Sequence, residues 1–274
     1  MGEEYAKRIP TELEIEILQH IANEDEADHS RWIALVNCAR VCKAWTGYAR
    51  SHLYYAINMN ISRGSRQFES LREYTYLRPF LREFKWPRTE LEKSLYCFNA
   101  NDADIIKNVA PTVMNLRFRR VDYRSLAPPL REAISAFANI TELDMTGSIF
   151  EDWTTVVHVI SRFPFLATLA MPRTANFSAT FYDDEPEISY PPPRHLRHIK
   201  LASGCETETV RWIRKGLPMP DIQTVEAESQ IDSNVLAKLL RSLGGSLQHL
   251  IIHIDPSRAF LISFWHRNLF NRAP

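Results

Sequence analysis

The chain has 274 residues, 45% hydrophobic and 24% charged, long enough for one large domain or a small one plus a large one. Its 33 basic side chains balance its 33 acidic ones, so no global charge draws it to nucleic acid or membrane, and either would need a local patch. The four cysteines (Cys38, Cys42, Cys97, Cys205) form no CxxC pair, and with no signal-peptide pattern they read as free thiols of a reducing compartment, cytoplasm or nucleus.

The stretch RIPTELEIEILQHI, from Arg8 to Ile21, predicts a helix. Pro10 suits the first helical turn, where its missing N–H is no loss, and Thr11 with Glu14 has capping-box spacing. Leu13, Ile17 and Ile21 form one apolar stripe, and Ile15 with Leu18 form a second beside it. One stripe is enough to dock a helix on its own core, so two imply burial on two sides. The polar break ANEDEADHSR follows, then WIALVNCARVCKAWTGYA, where Leu35, Cys38, Val41, Cys42 and Trp45 fall at helical spacing. That spacing places Cys38 and Cys42 at i, i+4 of one helix, read as small buried residues because no His or Cys pair follows at zinc-site spacing. About fifty residues of short helices sit near the lower limit for an independent core and would gain from a partner.

These residues resemble an F-box. Ile9, Pro10, Glu12 and Leu13, then Ile17 and Leu18, then Val41, Cys42, Lys43 and Trp45, then Leu53 and Tyr54 follow that motif in order and spacing. The resemblance covers about residues 8–56, and it departs where the acidic segment 23–31 is longer than usual between the first two helices. It implies a helical head that docks on the Skp-type adaptor of a cullin–RING ubiquitin ligase, the rest of the chain recruiting a target protein. Pro10, Leu13, Ile17 and Leu18 would be adaptor contacts, with Val41, Cys42 and Trp45 in or beside the same interface. The bland reading is that these helices only pack on the domain that follows.

Behind the head, and after a connecting segment at 57–80, apolar residues recur at i, i+3 and i+5. They do so at Leu81-Phe84-Trp86, Val113-Leu116-Phe118, Ile140-Leu143-Met145, Leu166-Leu169-Met171, Leu196-Ile199-Leu201, Ile222-Val225-Ala227 and Leu247-Leu250-Ile252. The starts step by 32, 27, 26, 30, 26 and 25 residues. Seven copies of LxxLxL at that period resemble degenerate leucine-rich repeats. Between them DADIIKNVA, PLREAISAFA, WTTVVHVISRF, ETVRWIRKGL and SNVLAKLLRSLG read as short amphipathic helices, the last capped by Asp232 or Ser233 and ended by Gly244-Gly245. The expected fold class is therefore α/β: a small helical head followed, over 81–255, by a curved repeat solenoid with a parallel sheet. A doubly wound α/β enzyme would also alternate strand and helix, but the 8 glycines include no GxGxxG or GxxxxGK[ST] turn. The pairing of F-box and low-glycine degenerate repeats is similar to fungal members of the family.

The repeat sets which side chains face a ligand. With i+3 and i+5 turned inward, i+2 and i+4 point to the open sheet face. The candidate target-binding residues there are Arg117, Arg119, Glu142, Asp144, His198, Lys200 and His249, in a lane with Glu83, Lys85, Thr224, Glu226 and His253. Arg117 and Arg119 occupy adjacent outward positions, with Glu142 and Asp144 as their expected counterweights. The lane alternates in sign, which suits a protein partner better than the uniformly basic, aromatic track of a nucleic-acid binder.

The chain 172–195 replaces a helix with an acidic knot (Asp183, Asp184, Glu185, Glu187) and three prolines, a tolerated insertion or a recognition loop. The tail at 256–274 carries Phe260, Leu261, Phe264 and Trp265, which could cap the open end of a solenoid. Its AFLISFWH is the greasiest run of the chain and stops at Arg267, well short of the ~18 residues of a membrane span. His195 with His198 and His249 with His253 read as surface imidazoles without a carboxylate partner. No GxSxG, HExxH or kinase set occurs, so no enzyme, metal or cofactor is expected. The alternative to a ligase subunit is a leucine-rich scaffold not coupled to ubiquitination.

Overall fold

The structure is a computed structural model that describes residues 11–23, 29–59, 62–87, 102–172, 190–216, 218–228 and 230–253. Pro10, Cys97, the acidic loop and the tail lie outside these residues. The chain is an α/β protein whose strands run parallel and follow chain order. By compactness it divides into two units, Met1–Arg117 with Ala127–Asn139, and Phe118–Leu126 with Ile140–Pro274.

The first unit opens with three helices, α1 (Thr11–Asn23), α2 (His29–Val41) and α3 (Lys43–Leu53). Leu18, Cys38 and Ala49 are their common core, with Ile21, Ala39, Trp45 and Tyr48 packed against it. The apolar spacing around Cys38 and Cys42 does not continue as one helix. Cys42 turns extended, with φ −157 and ψ 170, and becomes the N-cap residue of α3. Cys38 is buried and Cys42 exposed, so the two thiols belong to different elements.

Next come β1 (Ala56–Asn58), α4 (Ser62–Glu73), a 3₁₀ helix at Thr75–Phe80, β2 (Glu83–Lys85), α5 (Asp102–Val109), β3 (Asn115–Arg117) and α6 (Pro128–Ile134). The segment expected to connect, 57–80, thus holds the end of β1, α4 and the 3₁₀ helix. Its strand is one more copy of the apolar triplet, Tyr54-Ile57-Met59, with a half-buried tyrosine at the first place where the other copies have an aliphatic residue. Register runs Ile57↔Phe84 and Phe84↔Leu116, and all three side chains are buried. Phe84 is the hub of the packing, its ring 6.2 Å from Phe68, 5.8 Å from Trp86 and 6.2 Å from Phe137. Each such fully buried ring or aliphatic side chain contributes roughly 1.5–3 kcal/mol. Gly64 lets α4 lie close on β1, because a Cβ there would stand 1.9 Å from the Asn58 carbonyl oxygen.

In the second unit, Phe118–Leu126 runs beside β4 (Glu142–Asp144), the Phe118 N–H donating to the Asp144 carbonyl at 2.6 Å. α7 (Trp153–Ser161), β5 (Thr168–Ala170), β6 (His198–Leu201), α8 (Glu206–Lys215), β7 (Thr224–Glu228), α9 (Ser233–Leu243) and β8 (His249–His253) follow. Side chains close the helix starts as expected from Asp and Asn cap chemistry. Asp152 accepts from the Thr155 N–H at 2.6 Å and Asp232 from the Asn234 N–H at 2.8 Å. α9 stops at Gly244, whose φ of 53 suits a residue without Cβ.

Register aligns Leu143, Leu169, Ile199, Val225 and Leu250 on one face. The first four are buried. β8 differs: all five of its residues are exposed, Ile252 at 49%. The residues after β8 are outside those described. Among the described residues no helix is long and apolar enough to cross a membrane.

Candidate functional site

Two surfaces carry the residues singled out from sequence, one on the helical head and one on the open face of the strands.

On the head, α1 has two apolar stripes but buries only part of them. Leu18 is 2% exposed, while Leu13 is 49% exposed and Ile15 and Ile17 are exposed beside it. From α2, Ile33 is exposed too, and Val41 at its end is 64% exposed. Cys42 is exposed and Trp45 half-buried against the head core. Of the expected adaptor contacts, Leu18 therefore supports the head from within, and Leu13, Ile17, Val41 and Cys42 are available to a partner. Large aliphatic side chains left in water this way mark a surface that gains from being covered.

On the strands, outward side chains pair across neighbours. In the first unit Glu83 is buried, with Arg117 Nε at 2.6 Å and Lys85 Nζ at 3.7 Å from its Oε1. Within the first unit Arg117 thus answers to Glu83. In the second unit Arg119 Nε donates to Asp144 Oδ2 at 2.5 Å. β3 ends at Arg117, so Arg119 is not its strand neighbour and the two arginines belong to different units. Glu142 is exposed, with no ion pair among the described residues.

The densest charge cluster joins residues that the sequence places on one lane without pairing them. Glu226 on β7 is met from both sides: His198 Nε2 lies 3.2 Å from Oε1, Lys200 Nζ 3.2 Å from Oε2, and His253 Nε2 3.1 Å from Oε2. Two of the four histidines read as partnerless, His198 and His253, share one carboxylate. Burial alone would push the Glu226 carboxyl up, but the His253 and Lys200 hydrogen bonds, with the charges of Lys200 and His198, together hold it below its ordinary value. The signal that could have found this is register. Lys200 pairs with Glu226 and Glu226 with Ile251, which puts His198 and His253 on diagonals within reach of long side chains. His249 is exposed on the same face, opposite Thr224.

No group of three or more His, Cys, Asp or Glu among the described residues is placed to hold a metal ion. The Cys205 thiol, buried at the start of α8, is pushed up to about 12 by that burial, which makes it inert. The chain matches no known family pattern, and no curated protein is similar enough to count as a relative.

Proposed function

We propose that the chain is a substrate-recognition subunit of a cullin–RING ubiquitin ligase, its helical head docking on a Skp-type adaptor and its strand face binding a target protein. The observation that carries this reading is the head. Leu13, Ile17 and Val41 are exposed on a small three-helix unit that already buries Leu18, Cys38 and Ala49 as its own core. An apolar surface beyond what the unit itself needs suits a permanent partner. The F-box-like order of Leu13, Ile17, Leu18, Val41, Cys42 and Trp45 names the kind of partner. In such a protein the ubiquitin chemistry belongs to other subunits, and this chain supplies binding only.

The test is affinity for a purified Skp-type adaptor, by titration calorimetry, of the parent chain and of Leu13→Ala with Ile17→Ala. Truncating a well-packed apolar interface residue costs ~2 kcal/mol or more, about thirtyfold in affinity. A parent chain that does not bind the adaptor sinks the reading. So does a folded double variant with unchanged affinity.

A further inference from the structure

We infer that the β6–β8 face of the second unit is a proton-dependent binding site for a carboxylate-rich peptide segment. Calling that segment part of a ubiquitination target rests on the function proposed above; the site itself does not.

The cluster holds one cation that is charged throughout, Lys200, and three imidazoles, His198, His249 and His253. The facing carboxylates are Glu226 at the centre and Glu228 on the same strand, the latter accepting from Ser203 Oγ at 3.4 Å. Among the described residues, the strands beside the cluster add no other charge on this face. β5 contributes Thr168 and Ala170, which pair with His198 and Lys200, and β7 and β8 contribute Thr224 and Ile251. With neutral imidazoles the patch is net negative, one lysine against two glutamates. With all three protonated it is net positive, four cations against two glutamates.

Imidazole is the side chain whose charge ordinarily changes between pH 5 and 8, so the sign of the patch depends on whether these rings carry a proton. Strands ~4.8 Å apart bring His198 and Lys200 within 3.2 Å and His253 within 3.1 Å of Glu226, while His249 stands farther along the same face, opposite Thr224. Glu226 is the most enclosed of the four paired groups, its side chain 18% exposed against 31% for His198, 38% for Lys200 and 52% for His253. Lys200 and His253 therefore stand outermost, with the carboxylate and the buried His198 Nε2 beneath them. A ligand carboxylate approaching from solvent meets Lys200 and His253 first, in the orientation Glu226 now exploits from below. With neutral imidazoles the cluster satisfies itself. With protonated ones it has donors to spare.

The probe is a fluorescein-labelled octaglutamate peptide, its binding to the full chain followed by anisotropy at about pH 7.4 and about pH 5.8, both above the ordinary glutamate range. Binding tighter by about tenfold at the lower pH is expected, the effect of one added charge-assisted contact. His198→Gln with His253→Gln should abolish that gain, and Glu226→Gln should raise affinity at about pH 7.4. The same gain in the double histidine variant, or no gain in the parent, overturns the site. Lys200→Gln, expected to weaken binding at both pH values, keeps the test decisive if the double variant does not fold. Adaptor affinity measured on the same preparations tests the proposed function separately.

Discussion

Arg117 Nε stands 2.6 Å from Oε1 of Glu83, and Glu83 is a buried carboxylate. Removing one partner of a fully buried pair costs about 3–5 kcal/mol, because the other charge stays behind in the protein. Here the Arg117 side chain is 37% exposed and Lys85 remains 3.7 Å from the same oxygen, so Arg117→Gln should cost less, ~1–2 kcal/mol after solvent screening. Urea unfolding is the measurement. Adding Glu83→Gln to Arg117→Gln should recover most of the loss, and an Arg117→Gln chain as stable as the parent would show that the pair contributes nothing. A charge reversal at Arg117 therefore tests folding before it tests binding. Arg119→Glu is the cleaner probe of the strand face, since its bond to Asp144 is half exposed and such pairs are worth ~0.2–1 kcal/mol.

Leu13 and Leu18 are one and a half turns apart on α1 and should behave oppositely. Leu18 fills the head core with Cys38 and Ala49, so Leu18→Ala leaves a cavity and should cost ~2–5 kcal/mol. Leu13 is exposed in the free chain, and Leu13→Ala should change stability by under ~0.5 kcal/mol. Unfolding midpoints of the two single variants, measured without any partner, decide it. Equal midpoints would mean that the head core is not centred on Leu18.

The thiols should separate by burial. Cys42 is exposed and Cys205 buried, its pKa pushed up to about 12. Burial raises Cys38 as well. In a Cys97→Ser chain, iodoacetamide at about pH 8 should modify Cys42 in the native state and reach Cys38 and Cys205 only after denaturation. Mass spectrometry of the peptides is the readout. Native modification of Cys205 would contradict its burial beside α8.

The seven apolar triplets were legible because their spacing is local, whatever lies next to it in space, and the first six are buried. The copy at Tyr54-Ile57-Met59 escaped for the same reason: its first residue is an aromatic that also fits the end of the F-box pattern. Spacing on α1 showed two apolar stripes but could not show that Leu18 faces inward and Leu13 outward, because which stripe is buried depends on where Cys38 and Ala49 arrive. Glu226 was hardest to see. Its partners lie 28 residues before it (His198) and 27 after it (His253), and only the strand register brings them together. Register within the first unit likewise puts Arg117 beside Glu83.

Glu226 gives a pH prediction whose sign is set by its depressed folded value. The unfolded chain protonates this carboxyl near its ordinary 4.5, the folded chain only at lower pH. Over that interval the unfolded state binds more protons, so the stabilisation from Lys200, His198 and His253 is complete above about pH 4.5 and is lost as pH falls through the folded value. Between about pH 6 and about pH 3, the parent's urea midpoint should fall further than that of Glu226→Gln, which has no carboxyl to protonate there. The difference should stay under ~1 kcal/mol, because the partners are partly exposed and solvent screens them. Carboxyl titration by NMR provides the direct check. Glu226 should titrate below the ordinary range in the parent and move back toward it in Lys200→Gln, which removes a hydrogen bond and a charge at once. A Glu226 that titrates at its ordinary value in both chains would mean that the three-sided contact does not persist in solution.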